Sequence, residues 1–129
     1  MNGSARLDHV ALGVADLDER LRFLAETLGF TVRRLGTNVR TGGRIAMLGH
    51  PDTPVKLELI ESPDQQGFLH LAVHVDDVRA EFDRLTAAGL TAVRAPFRLE
   101  AAKADSALVQ DPAGWMIQLV HYDPDSPDR

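Results

Sequence analysis

The sequence predicts an α+β fold built from two tandem βαβββ modules. Three observations carry this expectation: an internal repeat, an amphipathic helical stripe in each copy, and three strand-like segments after each stripe. Residues 7–17 read Leu-Asp-His-Val-Ala-Leu-Gly-Val-Ala-Asp-Leu, and residues 68–78 read Phe-Leu-His-Leu-Ala-Val-His-Val-Asp-Asp-Val. At an offset of 61, His9 falls on His70, Ala11 on Ala72, Val14 on Val75, Asp16 on Asp77 and Leu17 on Val78. Self-similarity at a fixed period marks a repeated supersecondary unit.

Each copy opens on a strand, around His9 and around His70. In the first, Leu17, Leu21, Leu24 and Leu28 then follow the spacing of a helix with one buried face. In the second, Val78, Phe82, Leu85 and Gly89 keep that spacing. Asp16 with Glu19 reads as a capping box and Asp77 as a plain N-cap, while Gly29 and Gly89 stand where a helix ends in a left-handed residue. Strands are expected at Phe30–Leu35, Arg44–Gly49 and Val55–Glu61, then at Leu90–Ala95, Ser106–Gln110 and Trp115–Tyr122. Turn signals separate them at Gly42-Gly43, His50-Pro51-Asp52 and Asp111-Pro112-Ala113-Gly114. The chain therefore divides as one domain over 1–129, with module one at 6–61, a polar joint at 62–67, module two at 68–122 and a disordered tail at 123–129. Phe97–Asp105 is the longest irregular stretch of module two and is expected to be a mobile lid.

Composition narrows the function classes. With 129 residues the chain suits a single domain, since a lone module of about 60 residues would be marginal. There is no cysteine, which excludes disulfides, thiolate nucleophiles and sulfur-ligated metal. A net charge of −5 without a basic run argues against nucleic acid as a partner. No apolar stretch approaches the roughly 20 residues that span a bilayer, and the first residues lack a signal-peptide core. The expectation is a cytoplasmic protein with no membrane partner. No HExxH, P-loop, dinucleotide fingerprint or Gly-x-Ser-x-Gly elbow is present.

Strand alternation decides which polar side chains can share a site. His9 shares a face with Leu7 and Ala11, and His70 with Ala72 and His74. Glu58 and Gln118 stand mid-strand among apolar residues, at an offset of 60. Each module thus carries one polar residue mid-strand at its beginning and one at its end. Burying two imidazoles, a carboxylate and an amide costs several kcal/mol unless each finds a partner. A divalent metal would satisfy all four, and nitrogen with oxygen donors suits Zn²⁺, Ni²⁺, Co²⁺, Mn²⁺ or Fe²⁺. His74 lies about 13 Å along the strand from His70, too far to bind the same ion, but it can line the pocket. His121 has the opposite parity to Gln118 and faces away. His50 sits in a turn and reads as solvated.

The paired signatures Leu7-Asp8-His9-Val10-Ala11…Asp16-Leu17 and Leu69-His70-Leu71-Ala72…Asp77-Val78 resemble the vicinal oxygen chelate superfamily. Leu28-Gly29-Phe30 and the closing Asp111-Pro112-Ala113-Gly114-Trp115-Met116-Ile117-Gln118-Leu119 are similar to further hallmarks of that group, so the resemblance covers about residues 6–122. The group includes glyoxalase I, methylmalonyl-CoA epimerase, extradiol dioxygenases, fosfomycin-resistance thiol transferases and bleomycin-binding proteins. It implies that the modules curl into a cup-shaped mixed sheet around a central site. It implies a divalent metal held by His9, Glu58, His70 and Gln118, and a homodimer acting on a small-molecule substrate.

Gln118 departs from glyoxalase-like enzymes, which carry Glu there as a base. An amide takes no proton at neutral pH, so the catalytic base falls to Glu58 or to a metal-held hydroxide. The reaction the resemblance implies is lyase or isomerase chemistry of the glyoxalase/epimerase type, with an enolate stabilised during proton transfer beside a carbonyl. The alternatives are an antibiotic-binding resistance protein and an Fe-dependent extradiol-type dioxygenase, with a fosfomycin-type thiol transferase behind them. On the substrate side, Arg33, Arg34, Arg40 and Arg44 read either as a solvated strand edge or as an anion clamp. Arg44, His74 and Trp115 are the substrate-binding candidates, and Phe97 is a further pocket or core residue.

Overall fold

The computed structural model describes residues 5–38 and 41–129, so Arg40 lies outside the described residues. The elements run β1 (Arg6–Val14), α1 (Leu17–Leu28), β2 (Thr31–Thr37), β3 (Arg44–His50), β4 (Thr53–Glu61), β5 (Gly67–His74), α2 (Val78–Ala87), β6 (Thr91–Leu99), β7 (Ala104–Gln110) and β8 (Met116–Tyr122). The order is βαβββ twice. Two compact units result, one of His9–Leu69 and one of the residues up to Asp8 with His70–Arg129.

In the His9–Leu69 unit the strand order is β2-β3-β4-β1, with β1 parallel to β4 and the other pairs antiparallel. The unit holding His70–Arg129 repeats this as β6-β7-β8-β5, with β5 parallel to β8. Parallel neighbours need a long crossover, and here the helix and two strands between them supply it.

The helix of each unit covers one face of its own strands. Asp16 caps α1 by accepting from the Glu19 amide at 3.1 Å, and Asp77 caps α2 by accepting from the Ala80 amide at 3.0 Å. Gly29 closes α1 at φ +79, where a Cβ is disfavoured. Leu17, with Leu21 and Leu24, packs on Val14, Ala46, Leu48 and Leu59. Val78 and Phe82 pack on Val75, Ala107, Val109 and Leu119. The alternate residues of the same strands, His9 and Glu58 or His70 and Gln118 among them, face the other way. These polar candidates therefore stand on the helix-free faces.

Three expectations are corrected. Phe97–Asp105 is no lid: β6 extends to Leu99, and a turn at 100–103 leads straight into β7. Pro96 is accommodated because β6 is a bulged strand paired only to β7 at this edge. The tail is ordered. Arg98 pairs with Asp123, Lys103 Nζ meets Asp125 at 2.7 Å, Ser126 Oγ donates to the Ala102 carbonyl, and Asp128 is buried. Its acidic residues read as disordered by composition but find cationic and backbone partners on the β6–β7 turn. Leu28, expected on the buried stripe of α1, is half exposed.

Gly13 of β1 is a close-approach glycine, because an added Cβ would lie 1.7 Å from the Gln65 carbonyl oxygen. Gly13→Ala is expected to cost about 3 kcal/mol by overpacking, measured by urea denaturation, with unchanged stability as the contrary result.

Candidate metal centre

In the His9–Leu69 unit, register places Ala11 beside Glu58, and His9 lies two residues earlier on the same face. His9 Nε2 is 3.5 Å from Glu58 Oε1, with the two side chains 3% and 13% exposed. This is a carboxylate and an imidazole taken out of water together, an arrangement that costs desolvation unless both are further engaged. The second unit repeats the geometry. Ala72 pairs with Gln118, and His70 again lies two residues earlier on that face. Buried Gln118 donates its amide nitrogen to Ser106 Oγ at 3.0 Å. That bond fixes the side chain and leaves the carbonyl oxygen free to accept a hydrogen bond or ligate a metal ion.

The other candidates fall elsewhere. Arg44 is committed to acidic partners: its guanidinium bonds Asp18 at 3.0 and 3.3 Å and Glu61 at 3.2 and 2.9 Å. Those bonds, Glu61 first, hold its pKa above the usual arginine range. It ties α1 to β4 rather than offering an anion clamp. Trp115 is 52% exposed, in the turn closed by Asp111 Oδ1 accepting from its backbone amide at 2.8 Å.

His74 is buried, its Nδ1 without a hydrogen-bond partner, between the His121 ring at 5.2 Å and the Tyr122 ring at 5.8 Å. Its ring packs against both of these at the end of β5. His121 Nδ1 bonds the Val75 carbonyl at 2.9 Å, on the helix side as parity required. His50 is not simply solvated. Its Nδ1 accepts from the Asp52 amide at 3.1 Å, so Nε2 carries the hydrogen donated to the Leu28 carbonyl at 3.0 Å. It closes the C-terminus of α1.

The sequence reading missed three residues. Ser106 is fully buried and holds Gln118; its register with Val120, next but one to Gln118, was the available signal. Lys56 is buried as the register partner of His9, on the Glu58 face, as alternation from Glu58 implies. Tyr122 donates to Asp8 Oδ2 at 2.5 Å, a buried link across 114 positions of sequence that no local pattern signals.

These features define a class: tandem βαβββ proteins with paired nitrogen and oxygen donors on helix-free sheet faces. The comparisons identify it. The chain belongs to the Glyoxalase/Bleomycin resistance protein/Dioxygenase superfamily, whose family model matches residues 6–119. It is 30% identical over 123 residues to the "Probable lactoylglutathione lyase" of Vibrio cholerae, covering 89% of each chain. Methylmalonyl-CoA epimerase from Mycobacterium tuberculosis is similar in structure at a TM-score of 0.80 and 27% identity, covering 92% of this chain and 88% of that one. A methylmalonyl-CoA epimerase in complex with methylmalonyl-CoA and NH4+ matches at a TM-score of 0.81 and 25% identity, over 95% and 97% of the two chains.

Burial lowers the His74 pKa below its ordinary 6.5, with Arg6 and His121 acting in the same direction and Asp8 and Asp76 opposing. The unfolded chain then binds the proton more readily, so this contribution to stability is present above pH 6.5 and is lost as pH falls below it. His74→Phe keeps the ring packing and removes the proton. Denaturation of metal-free protein between pH 5 and 7 is expected to show a shallower fall for the variant, and parallel curves would refute the assignment.

Proposed function

We propose that the protein is a metal-dependent enzyme of the glyoxalase/epimerase type, with His9, Glu58, His70 and Gln118 holding one divalent cation. The observation that carries this reading is the pair of buried His9 and mostly covered Glu58, matched at the same register by His70 and Gln118 in the second unit. The donor set fits the group. Two imidazole nitrogens, one carboxylate and one amide oxygen suit a borderline divalent ion, and the fixing of the Gln118 amide by Ser106 is the kind of outer contact that orients a ligand. A divalent ion held by these residues would supply positive charge to the substrate's carbonyl oxygen.

The chain's own residues then divide the work. Gln118 stays neutral at every working pH, so it can hold but not accept a proton. Glu58 is the sole carboxylate of the set and takes the proton from the carbon beside the carbonyl. The electron pair of that C–H bond moves to the carbonyl oxygen, giving an enolate. Return of the proton from Glu58 to the adjacent carbon gives an isomer, whereas delivery of a proton from water to the opposite face of the first carbon, with Glu58 releasing its own proton to solvent, gives an epimer. With one carboxylate the set leaves the divalent site about one net positive charge, which favours the enolate over the neutral ketone. The similarity to a probable lactoylglutathione lyase and to methylmalonyl-CoA epimerase supports a thiol-conjugated carbonyl compound as substrate, a glutathione adduct or a CoA ester.

Zinc and cobalt titration of chelator-treated protein tests the centre. One ion per chain is expected, with affinity lost in His9→Ala and reduced 10- to 100-fold in Ser106→Ala, which leaves Gln118 unanchored. Absence of divalent uptake at micromolar metal would overturn the reading. Glu58→Gln keeps an oxygen ligand and removes the base. Turnover of methylmalonyl-CoA and of the methylglyoxal–glutathione hemithioacetal is expected to fall about 10²- to 10⁴-fold, and an undiminished rate on whichever compound the wild type turns over would exclude Glu58 as base.

A further inference from the structure

We propose that Arg94 binds a carboxylate on the part of the substrate remote from the reacting carbonyl, an assignment that rests on the reading above of Gln118 as a ligand. The pairing of β6 with β7 shifts between Ala92 and Arg94, so a bulge at Val93 re-aims the strand at this point. Beyond the bulge, Arg94 pairs with Leu108, Leu108 with Gln118, and Gln118 with Ala72. Register partners share a face, so Arg94 stands in one row with Gln118 on the helix-free side. Two strand spacings put their Cα atoms about 10 Å apart. A carboxylate about two or three carbons beyond an oxygen held at Gln118 falls within the reach of an arginine side chain across that gap.

The guanidinium is presented rather than consumed. Its central carbon lies 3.6 Å from the centroid of the Phe97 ring, and no carboxylate among the described residues pairs with it. The contrast with its neighbours is specific. Arg98 on the same strand pairs with Asp105 and Asp123, Arg84 with Glu81, and Arg79 with Asp83. Phe97 is itself the register partner of Ser106, whose hydroxyl accepts from Gln118. Stacking on an aromatic face holds a guanidinium plane while leaving its N–H edges able to take a carboxylate in a two-point bond.

The His9–Leu69 unit has the same row in its own register. There the β2–β3 pairing shifts between Val32 and Arg34, and Arg34 pairs with Met47, Met47 with Glu58, and Glu58 with Ala11. Arginines scattered on a solvated edge have no reason to repeat both the bulge and the row. The sequence reading weighs Arg34 as part of a clamp but not Arg94; the bulges that set both rows appear only in the strand register.

Calorimetry with two probes tests this. 2-Oxoglutarate and 2-oxovalerate share a chelating 2-oxo acid, and only the first has a distal carboxylate. Wild type loaded with Zn²⁺ is expected to prefer 2-oxoglutarate by about tenfold, and Arg94→Gln to lose that preference while binding 2-oxovalerate as before. Arg79→Gln, which removes the same charge from α2 on the covered face, should keep the preference. Equal weakening of both probes, an intact preference in R94Q, or loss of the preference in R79Q as well would overturn the proposal. Zn²⁺ titration of the same proteins separates the two failures. A wild type that takes up no ion defeats the metal centre, whereas an R94Q protein with wild-type Zn²⁺ affinity and an intact preference defeats only the role of the arginine.

Discussion

Taking His9 and Glu58 largely out of water on the helix-free face of the sheet is the cost around which this chain is organised. A carboxylate and an imidazole 3.5 Å apart and largely buried do not stabilise a fold by themselves, because desolvation offsets most of their attraction. The strands tolerate them because the opposite face is well packed. Leu17, Leu48 and Leu59 are nearly inaccessible to solvent and carry the stability of that unit. Alternation does the rest, placing the apolar set under α1 and the polar set on the helix-free side.

The second unit solves the same problem with different chemistry. Gln118 replaces a charge by a dipole, and Ser106 satisfies its nitrogen inside the protein. That lowers the burial cost and removes a titrating group, so the two units are alike in geometry and unlike in what they can do with a proton. The arginine rows extend this division. Each bulge puts a cation two strands from the polar end of its module, Arg34 in one and Arg94 in the other. Ion pairs elsewhere serve the scaffold instead. Arg44 joins Asp18 to Glu61, and Arg98 fastens the acidic tail at Asp123.

Much of this was legible in the sequence because it rests on period. The repeat around His9 and His70, the capping aspartates and the helical stripes are all local patterns, and they gave the βαβββ order and the face of Glu58 and Gln118. What was hidden depends on distance along the chain. The tail looked disordered because its composition is polar, yet Arg98 and Lys103 lie far upstream as its partners. Arg44 looked like a substrate clamp because nothing in the sequence tells that Asp18, 26 residues away, meets it. The burial of His74 against His121 and Tyr122 comes from packing at the strand ends, which no local pattern signals.

Anomalous diffraction at the zinc edge, from crystals grown with Zn²⁺, is the most direct measurement. One strong peak is expected with a nitrogen of His9, a nitrogen of His70, a Glu58 carboxylate oxygen and the Gln118 carbonyl oxygen at about 2.0–2.2 Å. A map with no peak at those residues, or with the ion held by His50, His74 or His121 instead, would contradict the assignment.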